Sequence, residues 1–303
     1  MSATRRRTGP IPSGLVRPSG PAPLILALLM LATMAVAGAC DPGPRPYPES
    51  TGAPPSRVLE RGTVTVATAA DLPPLSFKDK MSGEIVGAEP ELMTTLAAEW
   101  GVKVEFVAAP RDRLLELVGT GKADLAIGGL VDTVKAEPRQ VTFIDYFKPA
   151  VRIYTTAARG QAYPTAVSLC GRSVAVASTV DEKQLAALSA TSCAVTGRPA
   201  IRRVRVSSAA AGRQELDRGR VDLAAQSAES YADLIRTQPG LYSGVLDPLP
   251  TGLFGVAVRD SDLELIHAVL MGLEQVRESG TYDTILQRWH LGYGRTYLLV
   301  NGR

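Results

Sequence analysis

The sequence predicts an α/β protein of two lobes with like architecture, joined by a two-strand hinge. Three observations lead there. Alternating apolar segments with the period of strands are interleaved with segments of helical spacing, the order that builds layered, parallel α/β sheets. A Gly-basic-apolar-Asp-Leu-Ala motif occurs twice, as GKADLA at 121–126 and GRVDLA at 219–224. Each copy lies downstream of an alternating strand, GTVTVAT at 62–68 and GRSVAVAS at 171–178, so two similar units recur in one order. Two further strand-like segments, 151–156 and 253–258, lie where the chain would leave the first lobe and return to it. The lobes are then 59–150 with 254–303, and 151–253.

The 303 residues suffice for two domains of ordinary size, and 45% apolar with 21% charged content excludes the disordered and fibrous classes. The formal charge of +3 belongs to the N-terminus. Residues 1–39 hold Arg5, Arg6, Arg7 and Arg17 with no Lys or acid, and the remainder sums to −1. That balance makes no case for nucleic-acid binding. Basic residues, an apolar run at 24–36 and the small residues before Cys40 make 1–39 an export signal. The residues ahead of Cys40 resemble the lipobox of bacterial lipoproteins, which implies a lipidated Cys40 at the mature N-terminus. Residues 40–58 are rich in Pro and without apolar period, and read as a stiff tether between lipid and fold. With Cys40 assigned, Cys170 and Cys193 remain, and a leftover pair in an exported chain favours a disulfide over buried thiols. His267 and His290 lie too far off in sequence to support a metal site, and no cofactor is expected.

Along the chain, the strand at 62–68 leads into a rigid DLPPLSF loop at 71–77, a turn at 78–83 and a short strand at 84–87. A helix begins near Glu89-Pro90-Glu91, where acids and Pro suit the exposed N–H groups, and it runs on Met93, Leu96, Ala97 and Trp100 until Gly101. The strand 102–107 and a helix carrying Leu114, Leu115, Leu117 and Val118 follow. Residues 119–147 then form one wall of a small-molecule cleft. A short strand at 123–127 stops at Gly128-Gly129, and ligands of open α/β sheets bind beyond the carboxyl ends of strands. Asp124 and Asp222 sit at the opposite strand ends and read as structural. Near the end, SDLE at 261–264 is a capping-box pattern opening a helix on Ile266, Val269, Leu270 and Leu273. His267 reads as an ordinary residue of that helix.

These segments in order resemble the bacterial extracellular solute-binding proteins of the polar amino acid type, the receptors of ABC importers. The matching residues are 62–67 with Pro74-Leu-Ser-Phe77, GAEPEL at 87–92, GKADLAI at 121–127, GRSVAV at 171–176, GRVD at 219–222, FGVAV at 254–258 and ESGTYDTILQRW at 278–289. The resemblance implies a clamshell of the periplasmic-binding-protein type II that closes on one small polar solute, an amino acid or a related compound. It implies a monomer that works with a transporter permease, anchored by its N-terminal lipid on the outer face of the cytoplasmic membrane. Ligand contacts are carried onto Asp71, Leu72, Phe77, Gly128, Gly129, Thr133, Arg139, Ser178, Thr179 and Ser227. Members of this type hold an α-carboxylate with Arg and an α-ammonium with Asp. Those positions here hold Glu137, flanked by Lys135 and Arg139, and Ser227, flanked by Gln226 and Glu229.

Two other functions fit the same scaffold. One is a ligand-sensing or partner-binding lipoprotein without amino-acid affinity, motivated by the substituted positions. The other is a dehydratase of the cyclohexadienyl type, for which Glu137, Asp132 or Glu229 would have to act as general acid or base.

Overall fold

The computed structural model describes residues 52–132 and 140–302. The export signal, Cys40, most of the tether and the segment with Thr133, Lys135, Glu137 and Arg139 lie outside the described residues. Pro54 and Pro55 are buried, and helix α1 (Ser56–Arg61) follows them with Val58 fully buried in the core. The last residues of the expected tether are therefore part of the fold. Pro55 caps the helix with φ −53° and ψ 145°, and burial of one apolar side chain, Val58, anchors the turn.

The first lobe continues through β1 (Thr63–Thr68), the small three-stranded sheet of β2 (Asp71–Leu72), β3 (Ser76–Lys78) and β4 (Ile85–Val86), and helix α2 (Ala88–Glu99). Then come β5 (Lys103–Ala108), α3 (Leu114–Gly119), β6 (Leu125–Ala126) and β7 (Val141–Phe147). Strand β8 (Ala150–Thr156) enters the second lobe, which adds β9 (Ser173–Val176), α4 (Thr179–Ser189), β10 (Arg202–Arg205) and α5 (Ala209–Asp217). It is completed by β11 (Leu223–Ser227), α6 (Ala228–Thr237) and β12 (Tyr242–Pro250). The chain returns through β13 (Phe254–Arg259), α7 (Leu263–Glu278), α8 (Thr281–Arg288) and β14 (Arg295–Val300).

The main sheets have the orders β14-β7-β13-β6-β1-β5 and β10-β9-β11-β8-β12. Each is parallel only across the repeated unit, β5-β1-β6 and β10-β9-β11. The expectation of wholly parallel sheets is corrected at the hinge side. There β13 runs back from the second lobe and pairs antiparallel with both β6 and β7. The two crossing segments, 151–156 and 253–258, belong to different sheets. Strand β8 pairs with β11 and β12, and β13 stays in the first sheet. The crossing is held instead by Ala150 opposite Pro250 and by Thr251 N–H donating to Pro149 C=O at 2.9 Å.

Each sheet is covered on both faces, so inner strands such as β9 and β13 are almost wholly buried, while the edge strands β5 and β10 carry exposed charged residues. In the first lobe α2, α7 and α8 pack Met93, Leu96, Val269 and Ile285 on one face, and α3 packs Leu114 and Val118 on the other. In the second, Leu185 of α4 and Cys193 cover one face, and Leu216 of α5 with Tyr231 and Leu234 of α6 cover the other. Cys170 and Cys193 form a disulfide with Cα atoms 5.5 Å apart. It ties the loop before β9 to the turn after α4. Helix α7 is capped by Asp262, whose carboxylate accepts Leu265 N–H at 3.3 Å, rather than by Ser261.

Candidate functional site

Where the two sheets meet, a cavity of about 450 Å³ opens at the hinge. Val131 and Phe254 line it from the first lobe, and Pro149, Ala150, Val151 and Thr251 form its floor. The second lobe contributes Ala177, Ser178, Val180 and Asp181 from the start of α4, and Gln226, Ser227, Glu229 and Ser230 from the start of α6.

The second-lobe wall follows from two strand-to-helix turns. Ser178 ends the extended segment after β9 and caps α4. Its Oγ accepts Asp181 N–H at 3.1 Å, and Asp181 Oδ2 accepts Ser178 N–H at 3.1 Å. Ser227 ends β11 and caps α6 in the same way, its Oγ accepting Ser230 N–H at 3.1 Å. Helix N-termini favour negative charge, and both ends here carry their own first-turn acid, Asp181 and Glu229. This wall therefore presents hydroxyls and carboxylates to the cavity. Gln226 is buried, and its Oε1 accepts Tyr154 O–H at 3.1 Å. Glu229 accepts Tyr293 O–H at 2.9 Å and Ala150 N–H at 3.3 Å. Burial pushes its pKa up, while these N–H and O–H donors pull it back.

The first-lobe wall is organised differently. Gly128 and Gly129 adopt φ +119° and +63°, a region that side chains disfavour. A Cβ on Gly129 would stand 2.6 Å from Leu72 Cδ2, and one on Gly128 would stand 3.1 Å from Thr68 Oγ1. The backbone is occupied as well. Glu89 Oε1 accepts Gly129 N–H at 2.8 Å and the Tyr146 hydroxyl, and Arg111 donates to Gly128 C=O and to Asp71. At this turn packing fills the space beside each Cα, and internal hydrogen bonds take Gly128 C=O and Gly129 N–H. Glu89 is fully buried, and desolvation raises its pKa. Behind the wall, Asp145 is buried beside Asp132. Desolvation first, and the neighbouring carboxyl after it, push the Asp145 pKa up to about 6.

The residues singled out from sequence thus separate into groups. Ser178 and Ser227 face the cavity, with Thr179 next to Ser178 as the first residue of α4. Asp71, Leu72, Gly128 and Gly129 gather on the first lobe around Arg111. Phe77 is elsewhere. Its ring stands edge-on to Trp289 at 6.0 Å, and Arg236 of α6 lies 6.0 Å from it, a contact between lobes outside the cavity lining. Thr133 and Arg139 lie outside the described residues. Asp124 accepts Thr65 N–H at 2.8 Å and Asp222 accepts Ser173 N–H at 2.9 Å, so each ties a strand start. Sequence reasoning missed Phe254 and Ser230 in the lining, and the bracing pair Glu89 and Arg111. Glu89 carried the signal of a first-turn acid, which explains a helix end and says nothing of a partner 40 residues away. Arg111 carried no signal.

The chain belongs to the bacterial extracellular solute-binding proteins, family 3, whose model matches residues 64–292. The probable histidine-binding protein of Neisseria gonorrhoeae is 25% identical over 234 residues, covering 74% of this chain and 81% of the relative. Among solved structures, an ancestral cationic amino acid solute binding protein matches with a TM-score of 0.60 at 26% identity, over 77% of this chain and 98% of that one. An ancestral cyclohexadienyl dehydratase shares the fold with a TM-score of 0.58 at 22% identity, over 79% of this chain and 96% of that one. The fold is the two-lobed type II clamshell of these binding proteins.

Proposed function

We propose that this chain captures an amino acid or a closely related solute outside the cytoplasm and presents it to an ABC importer by closing its lobes. The cavity carries the reading. It holds about 450 Å³, is lined from both sheets and is floored by the crossing segments. An occupant that touches both walls has differential affinity for the closed form, and only such differential affinity shifts the equilibrium. Closure also removes water, which strengthens charge-assisted hydrogen bonds to a polar solute. The names of the histidine-binding and cationic amino acid relatives support amino acids as the class. Ser178, Thr179 and Ser227 are the second-lobe contacts in this reading. Asp71, Leu72, Gly128, Gly129, Thr133 and Arg139 are those of the first lobe.

The test is thermal unfolding against a panel of amino acids and amines. A solute with micromolar affinity in large excess raises stability by about 3 kcal/mol. No response across the panel overturns the amino-acid reading.

The reading is of a binding protein without turnover. Asp181 is engaged in a helix cap and Glu229 in bonds to the hinge and Tyr293, whereas acid–base chemistry needs a group placed at the reacting bond. Incubation with prephenate or arogenate is expected to leave both unchanged, and product formation would overturn this point. Anchoring through a lipid on Cys40 belongs to the same proposal. Among the described residues no helix is long and apolar enough to cross a membrane. Cys40→Ala is expected to move the protein from the membrane fraction to the soluble one.

A further inference from the structure

The two lobes differ in charge. Residues 151–253 hold twelve Arg and Lys against eight Asp and Glu, whereas 59–150 with 254–303 hold fifteen against twenty. The excess on the second lobe is concentrated, for 183–214 contain Lys183, Arg198, Arg202, Arg203, Arg205 and Arg213 and no acid. The cavity lies beyond the ends of β9 and β11. At the opposite end of the lobe Arg172 precedes β9 and Arg202 opens β10, its N–H donating to Arg172 C=O at 2.8 Å. Strand β10 is an edge, so Arg202 and Arg203, successive along it, flank that edge on both sides. Arg198 and Arg203 line one groove of about 360 Å³ with Ala186 and Ala190 of the segment opposite. Arg172, Arg198, Arg202 and Arg203 are exposed, and among the described residues of this group only Arg205 has an ion-pair partner, Glu182. The loop ahead of β10 is held in place. Arg198 N–H donates to Cys193 C=O at 2.9 Å, Cys193 is bridged to Cys170, and Ile201 N–H donates to Ser189 Oγ at 3.1 Å. Within that loop Val195 is 80% exposed.

We propose that this end of the second lobe docks on an anionic phospholipid surface, its arginines taking headgroup phosphates and Val195 entering the interface among them. A guanidinium meets two phosphate oxygens at once, and its stem lies along apolar surface while the charge stays at headgroup level. Basic residues near an anionic bilayer add attraction one by one, and an apolar side chain held out beside them gains by leaving water. An acidic protein face would match the arginines and leave Val195 against carboxylates, so the lipid surface fits both features. Cys40 lies twelve residues ahead of the first described residue, and a lipid there keeps the fold within about 40 Å of the bilayer. Docking by this end leaves the cavity, at the opposite strand ends, open to solute.

The experiment is co-sedimentation with vesicles of phosphatidylcholine alone or with phosphatidylglycerol added. It uses the chain from Asp41 onward, which keeps every described residue and carries no lipid, so failure here and failure of the Cys40 anchor read separately. Partitioning is expected to rise at least tenfold with phosphatidylglycerol at low salt and to vanish in about 0.5 M salt. The triple variant Arg198→Gln, Arg202→Gln, Arg203→Gln is expected to lose at least tenfold, and Val195→Asp as much. The double variant Arg218→Gln, Arg220→Gln is expected to bind as wild type, because those arginines already share Glu215. Equal partitioning onto both vesicles overturns the inference, and an acidic protein is then the better partner for this face. An unchanged triple variant or an unchanged Val195→Asp overturns it as well. An equal loss in the Arg218 and Arg220 variant shows attraction to the lobe's overall charge and also overturns it. If the triple variant does not fold, the single variants decide: each is expected to lose about fivefold, and no loss in any of them overturns the inference.

Discussion

The two walls of the cleft descend from the same sequence pattern, a strand with a Gly-basic-apolar-Asp-Leu-Ala start, yet they end differently. After β11 the chain turns directly into α6, and Ser227 and Ser230 face the cavity. After β6 it enters the Gly128-Gly129 turn, whose N–H and C=O groups are taken by Glu89 and Arg111. The contrast shows that a repeated strand does not imply a repeated use of its end. On the second lobe local capping places the polar side chains of Ser178, Asp181 and Ser227 along the cavity. On the first lobe long-range partners take Gly128 C=O and Gly129 N–H, while the second oxygen of Glu89 is buried without a hydrogen-bond partner.

The largest test of that contrast is Glu89→Ala. It leaves Gly129 N–H and the Tyr146 hydroxyl without their acceptor inside the core, at a cost of about 3 kcal/mol. Urea unfolding should show the loss, and solute affinity should fall with it because the wall loses its brace. A variant as stable as wild type would mean the turn holds itself.

The second lobe also has a covalent brace, the Cys170–Cys193 disulfide. Replacing Cys170 and Cys193 by Ser opens a loop of 23 residues in sequence separation, and about 3 kcal/mol of stability is expected to go with it. Reduction with dithiothreitol should lower the melting temperature equally. If it does not, α4 and its Ser178 cap hold without the bridge.

A smaller effect concerns the carboxyl pair behind the first wall. Asp145 keeps its proton up to about pH 6 in the folded chain, whereas an unfolded Asp releases it near the ordinary value of 3.8. The folded state therefore binds more protons in that window, and stability falls as pH rises from about 4 to about 6. A neutral Asn at 145 keeps an acceptor for Gly302 N–H and removes this fall. Asp145→Asn is expected to gain about 2 kcal/mol relative to wild type between pH 4 and pH 7, read from urea midpoints. A parallel pH profile in the two proteins would show that the pair is not coupled to folding.

The smallest effect belongs to the second wall. Ser227→Ala removes the cap of α6 and costs about 1 kcal/mol. Its effect on solute affinity should exceed its effect on stability if this wall carries the contacts.

Much of the fold was legible because it is written in short-range signals. The period of β1, the Pro and acids opening α2, and the paired GKADLA and GRVDLA motifs each reflect local backbone geometry and a face to be buried. The disulfide followed from counting thiols in an exported chain. The second-lobe cleft residues Ser178 and Ser227 were legible for the same reason, since a Ser at a strand-to-helix turn is a local device. The first-lobe wall was not. Glu89 reaches Gly129, Arg111 reaches Asp71, and Tyr293 reaches Glu229 across 40, 40 and 64 residues, and nothing at either end of those links marks the other.

By itself, then, the sequence determined two α/β lobes, their order along the chain and the strand ends where a cleft would lie. Tertiary structure alone decided that Gly128 and Gly129 serve packing and a buried carboxylate, that Phe77 pairs with Trp289 outside the cavity, and that Glu229 stands between cavity and hinge. The physical reason is range. Propensity, capping and periodicity act within a few residues and repeat wherever the pattern does. Which polar group of a turn is left free for a solute depends on side chains that arrive from distant segments, and those meet only after the sheets have formed.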